Sequence, residues 1–241
     1  MATSQMPPRT VPATTKEKPL SQAVKERRAT QHFDSAPVPD ADLAKILQAG
    51  LEAPSGYNLQ PWRFVVVRDP AQRKRLREAA MGQPKVEEAP VVVVACGDTR
   101  GWDQGELNVD AVMQLAKEHG YGGDKEHEAA KRNVRGFLGS TPGAAGGIAP
   151  DLGVWVNRHV TIATTTIMWM AECLGYDTAP MEGFDENAVK KLLHIPDSVR
   201  VVMLLAIGRR KGDDKPYGGR FSIDRLCFDN DWGKGLKIAG S

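Results

Sequence analysis

The sequence predicts an α+β layered fold in which a small sheet is flanked by helices. Three observations carry this. Short apolar runs (Val65 to Val67, Val91 to Ala95, and Val199 to Ile207 with Arg200 in it) have the length and β-branched content of buried strands. Apolar residues at helical spacing recur around them, most strongly from Val154 to Leu174. Helices and strands do not alternate strictly and no internal repeat is present, which argues against a doubly wound nucleotide fold.

The elements follow in order. Residues 1–18 are rich in Pro, Thr, Ser and Lys and read as a flexible arm, with packing on a partner subunit as the alternative; residues 19–241 form the folded domain. Leu20 to Arg28 is a short helix with Ser21 as its cap. Asp40 caps a helix over Leu43 to Leu51, which stops at Pro54. A strand over Phe64 to Arg68 precedes Asp69-Pro70, which starts the next helix. Val91 to Ala95 is a doubly covered strand, and Gly97 to Gly105 is a loop. Leu107 to His119 and Glu126 to Leu138 are helices, parted by Tyr121-Gly122-Gly123-Asp124. Gly139 to Asp151, with four glycines and two prolines, reads as a mobile loop or lid. Val154 to Gly175 has apolar residues around it, broken by Asn157, Arg158, His159 and Glu172, so it is central or lies at a subunit interface, and Gly175 closes it. Residues 178–184 read as a turn, Asp185 caps a helix over 186–193, and Val199 to Ile207 is the last apolar strand. Leu226 to Trp232 is an extra strand or an arm.

Composition sets limits on function. The 241 residues carry 32 basic and 30 acidic side chains, a net charge of +2. That gives no broad electrostatic case for nucleic acid or a membrane surface, so any anion site is local. No apolar run approaches the ~20 residues that span a bilayer. Cys96, Cys173 and Cys227 form no CxxC pair and read as free buried thiols in a reducing compartment. No signal-peptide pattern follows Met1, so the cytoplasm is expected.

Several chemistries are absent. There is no P-loop, no GxGxxG after a strand, no GxSxG and no HExxH. The five histidines suggest no metal site, and His119 and His127 are expected to face solvent. No acid–base pair or protein nucleophile stands out.

What stands out is the stretch Ala53 to Phe64. Ser55, Asn58 and Gln60 crowd a connection stiffened by Pro54 and Pro61, with Gly56 leaving room at the backbone. Such a loop suits a flat ligand with polar edges. Arg27, Arg28 and Gln31 precede it; Glu182, Gly183, Arg209 to Lys211 and Arg220 follow. For Arg27 and Arg28 the plain reading is a solvated helix end, where cations offset the macrodipole. Arginines also bind phosphate bidentately, so the set permits a phosphorylated aromatic cofactor.

In this order the residues resemble the FMN-dependent nitroreductase family, in its NADH oxidase and nitroreductase-like branch. Arg27-Arg28-Ala29-Thr30-Gln31-His32-Phe33 is similar to the family's opening RRSxRxF, and Ala53 to Phe64 to its APSxxNxQPWxF loop. Val86 to Val92 is similar to the segment before its central strand. Gly175 to Phe184 and Gly219-Arg220 are similar to its later signatures. The resemblance covers about Leu20 to Phe228. It implies a mostly antiparallel central sheet and a homodimer with FMN at the subunit interface. It places Arg27 and Arg220 on the FMN phosphate, with Arg28 close by. Ala29, Gln31 and Pro54 lie along the cofactor, Ser55 and Asn58 contact flavin and ribityl, and Gln60 supports them. Pro180, Met181, Glu182 and Gly183 lie against the flavin near N5, and Tyr57 faces the substrate, by stacking or gating, or simply packs. Ala29 and Gln31 stand where the family has a serine and a basic residue, which implies weaker or rearranged contacts. The implied activity is ping-pong hydride transfer from NADH or NADPH to small electron-poor acceptors such as nitroaromatics or quinones. No protein catalytic residue is required. The alternatives are reductive dehalogenation, flavin fragmentation, or flavin binding without turnover.

Overall fold

The structure, a computed structural model, describes residues 17–139, 151–213 and 216–238. The expected arm lies outside these as far as residue 16, as does residues 140–150 of the expected lid.

Four strands form an antiparallel sheet in the order β1-β2-β4-β3. They are β1 (Trp62–Val67), β2 (Val91–Asp98), β3 (Asp177–Met181) and β4 (Val199–Gly208). β2 is central, and every residue from Val91 to Gly97 is buried, as its unbroken apolar run predicts. On one face Val92, Val94 and Cys96 pack with Leu76 of α3 (Pro70–Ala79), Val86 of α4 (Pro84–Glu88) and Val189 of α9 (Glu186–Leu193). On the other, Val91 and Val93 meet Ile46 of α2 (Asp40–Leu51) and Ile167 of α8 (Leu152–Cys173). Further along that face Ala95 and Trp62 meet Val156 and Val160 of α8, with α6 (Val109–Glu118) and α7 (Asp124–Leu138) packed alongside. The remaining helices are short: α1 (Leu20–Glu26), α5 (Gly101–Gln104) and α10 (Ile223–Leu226).

α8 is the long central helix that its composition predicts. The Asp151 side chain accepts from the Val154 N–H, and Gly175 closes the far end at φ +80°. α8 crosses α2 closely, because a Cβ on Gly50 would lie 2.5 Å from Ile167 Cγ1.

Several expectations change. Residues 178–184 are not simply a turn, since 177–181 pair with β4 as an edge strand. Pro180 made this segment look like a turn, but an edge strand tolerates a residue with no N–H. β2 runs on to Asp98, and α5 occupies part of the expected loop at 97–105. Asp40 lies inside α2 rather than capping it, and neither Pro19 nor Pro39 makes a side-chain cap. Leu226 to Trp232 is no sheet strand; it leaves α10 for a single bridge, Phe228 to Gly235. His127 is buried, with Nε2–H donating to the Tyr121 carbonyl at 2.6 Å. Cys96 is buried as expected, but Cys173 is half-buried and Cys227 exposed.

Candidate functional site

The first part of the site is a cluster of cations. Arg27 and Arg28 leave the end of α1, and Arg220 arrives from the C-terminal segment. They line one cavity of about 510 Å³ with Val24, Lys25, Trp169 and Tyr217. Tyr217 organises it: the Arg28 guanidinium lies 4.2 Å from its ring centroid and that of Arg220 5.4 Å. Arg28 Nη1 also donates to the Lys25 and Arg27 carbonyls, at 2.7 and 2.8 Å. Arg27 lies 5.9 Å over the Trp169 ring.

Arg27 Nη1 is buried and has no hydrogen-bond partner. Burial holds its guanidinium below the usual arginine range; Glu172 opposes that shift, and the charges of Arg220 and Arg28 add to it. A buried guanidinium donor needs an acceptor. An anion such as a phosphate monoester supplies one and relieves the repulsion among the three arginines, so these residues fit the phosphate of FMN.

The second part is the polar loop. Gly56–Asn58 form one 3₁₀ turn, and Ser55 Oγ accepts from the Gln60 N–H at 2.9 Å. Tyr57, Asn58 and Gln60 all have positive φ, at 55°, 57° and 45°. Left-handed backbone is tolerated by Asn but costs a tyrosine on the order of 1–2 kcal/mol, so the loop is held in shape by its surroundings. The Gly56 N–H donates to His159 Nε2 of α8 at 2.8 Å. Pro54, Tyr57 and Asn58 are exposed. A cavity of about 650 Å³ begins at Tyr57 and Asn58 and runs between α6 and α7, past Val112, Met113, Ala116 and Ala130.

The third part is the end of β3. Pro180 and Met181 lie in the strand, and Glu182 follows, exposed. The Gly183 carbonyl accepts from Gln83 Nε2 at 2.8 Å. Ala29 bridges to Thr178 of β3, which ties the arginine segment to this strand, and Gln31 Nε2 donates to the Ala29 carbonyl.

So Arg27, Arg28 and Arg220 meet, and Ala29 is joined to β3. The loop 55–60 does not line the arginine cavity. Its hydrogen bond to α8 is at His159, ten residues before Trp169, which is about 15 Å along a helix. Trp169, Tyr217 and His159 belong to the site's framework and were not singled out in the sequence. The available signal was the polar residues, His159 and Glu172, that interrupt the apolar pattern of α8.

The family model described as the nitroreductase family matches residues 24–139 and 148–209. The NADH dehydrogenase of Thermus thermophilus is 35% identical over 206 residues, covering 86% of this chain and 93% of the relative. Protein DrgA of Synechocystis is 29% identical over 222 residues, covering 87% and 96%. Among solved structures, the nitroreductase-type protein YdfN of Bacillus subtilis superposes with a TM-score of 0.76 at 28% identity, over 86% of this chain and 96% of that one. A nitroreductase-type protein of Exiguobacterium sibiricum, solved in complex with FMN, gives 0.78 at 24% identity, over 91% and 100%, which supports the fold.

Proposed function

This chain belongs to the nitroreductase family, and from that premise we propose that it is an FMN oxidoreductase that passes hydride from NADH or NADPH to small electron-poor acceptors. The observation that carries the reading is the buried, unpartnered Nη1 of Arg27 among three arginines. Arg27 and Arg220 hold the phosphate, and Arg28 adds charge while its guanidinium stacks on Tyr217. Ser55 and Asn58 contact the flavin and ribityl, with Gln60 fixed behind them by Ser55 Oγ. Pro180, Met181, Glu182 and Gly183 lie against the ring, with the Gly183 carbonyl tied back to Gln83. FMN, when bound, supplies the two-electron redox chemistry, and the chain supplies binding and orientation. The mostly apolar walls of the cavity between α6 and α7 suit an aromatic acceptor, with Tyr57 at its mouth.

The reading includes a homodimer. α8 exposes Val154, Arg158, Thr161 and Ile162 along one stripe, while Val156, Val160, Ala163 and Ile167 on its other side are core. The C-terminal segment exposes Phe221, Leu226 and Trp232, the last 91% accessible. A second chain gives these surfaces cover and closes the gap between the loop and the arginines. Among the described residues no helix is long and apolar enough to cross a membrane.

Anaerobic addition of NADH and of NADPH to the FMN-loaded protein, followed by nitroaromatic and quinone acceptors, tests the reading. Bleaching by one nucleotide and recovery with an acceptor is expected. A flavin that stays oxidised with both nucleotides contradicts it.

A further inference from the structure

We propose that His159 is the positioning residue of the flavin-facing loop, acting as a fixed, neutral hydrogen-bond acceptor for the Gly56 amide; the proposal rests on the FMN reading above. The Gly56 N–H donates to His159 Nε2 at 2.8 Å. A ring nitrogen that accepts carries no proton, so the proton sits on Nδ1. That nitrogen lies 2.8 Å from the Trp155 carbonyl one turn earlier in α8 and donates to it. One imidazole therefore spends both nitrogens, one on its own helix and one on the loop.

The ring is held from the side as well. The Trp155 indole is buried and its centroid lies 4.4 Å from that of His159. The loop backbone comes close at this point, since a Cβ on Gly56 would lie 3.4 Å from His159 Nε2 and 3.5 Å from Trp155 Nε1. Gly56 opens the turn whose next two residues, Tyr57 and Asn58, both have positive φ. Anchoring the first amide sets the direction of the turn, and so the presentation of Ser55, Tyr57 and Asn58. α8 is a suitable base, because Val156, Val160 and Ala163 beside His159 are fully buried.

Two substitutions separate this role from packing. In His159→Gln an amide oxygen reaches as far as Nε2 and still accepts from Gly56. In His159→Asn the side chain reaches only as far as Nδ1 and leaves Gly56 unpaired. In the ligand-free protein, amide exchange at Gly56 is expected to rise at least about ten-fold in His159→Asn and to stay within about three-fold of wild type in His159→Gln. The dissociation constant for FMN should follow the same order, about ten-fold weaker and near wild type respectively, with the flavin visible band displaced only in His159→Asn. Nitrogen NMR of the histidine ring should find the proton on Nδ1 and none on Nε2, and an Nε2–H ring would overturn the proposal.

Wild-type Gly56 exchange and wild-type FMN affinity in His159→Asn would overturn the proposal, as would faster exchange with unchanged FMN affinity. A His159→Gln variant as impaired as His159→Asn would assign the residue to packing and overturn it too. Wild-type protein with a protected Gly56 amide that takes up no FMN would instead overturn the flavin reading, and with it His159's part in holding FMN.

Discussion

Lys18 Nζ lies 2.6 Å from the Glu172 carboxylate, and the buried Arg27 Nη1 nearby is left with no partner. Glu172 is 94% buried on α8 and its charge favours the ionised Arg27. Lys18 engages that carboxylate and also reaches Glu26 at 2.8 Å. The acid that stands to pair with Arg27 is thereby engaged by Lys18, and Arg27 Nη1 is left without an acceptor.

Lys18→Met should therefore act twice. It leaves the buried Glu172 carboxylate without its lysine partner, which should cost about 1–3 kcal/mol of stability. It also frees Glu172 to compete for Arg27, so FMN should bind more weakly. Lys18→Met combined with Glu172→Gln should recover most of both losses. Chemical unfolding and FMN titration of the two variants check this, and the absence of recovery in the double variant would contradict it.

Gly97→Ala should destabilise the sheet. A Cβ there would meet Val156 Cγ1 at 1.9 Å and Val160 Cγ2 at 3.1 Å, both on the central helix. Overpacking of this kind costs about 1–3 kcal/mol, which lowers the midpoint of a chain this size by roughly 2–12 °C. Thermal unfolding reads it directly, and an unchanged midpoint would mean that α8 yields more easily than its packing implies.

Tyr57→Gly should relieve backbone strain. At φ 55° a tyrosine is costly and glycine is not, while the side chain removed is 44% exposed. Relief of the left-handed strain, less the entropy cost of glycine, should leave the ligand-free protein as stable as wild type or more so, by up to about 1 kcal/mol. The KM for bulky acceptors should change while FMN affinity is largely kept. A clear loss of stability would place Tyr57 in packing, against Phe137 at 6.5 Å between ring centroids.

Stability should fall at alkaline pH. Burial, with the hydrogen bond to Asp42, pushes Tyr176 up from 10.0 to about 12, and burial pushes the Cys96 thiol up from 9.0 to about 12. Both native values are raised, so the unfolded chain loses these protons first. The stabilisation is complete below about pH 9 and is lost as pH climbs through 12. Tyr176→Phe should flatten the slope between pH 10 and 12. Cys96 should resist thiol reagents at pH 8 until the protein unfolds.

Much of this was legible because it depends on local pattern. Val91 to Ala95 reads as a central strand since both its faces are covered, and α8 reads as central or interfacial from the apolar residues around it. Arg27, Arg28 and Arg220 are visible as residue types, and the structure brings all three to one cavity. β3 was hidden by Pro180, whose cost vanishes only at a sheet edge, and edge position is a property of topology. His159 and Tyr217 were hidden because their roles depend on partners 103 residues away in sequence for His159 and on the meeting of two chain ends for Tyr217.

The central claim is that the arginine cavity holds the FMN phosphate, and FMN titration of the wild-type protein beside Arg27→Ala tests it most directly. The wild type should take up one FMN per chain and turn yellow. Arg27→Ala should bind FMN at least about ten-fold more weakly, consistent with loss of a charge-assisted contact, at an unchanged unfolding midpoint. A wild type that stays colourless, or an Arg27→Ala variant that holds FMN as tightly as the wild type, would contradict the account.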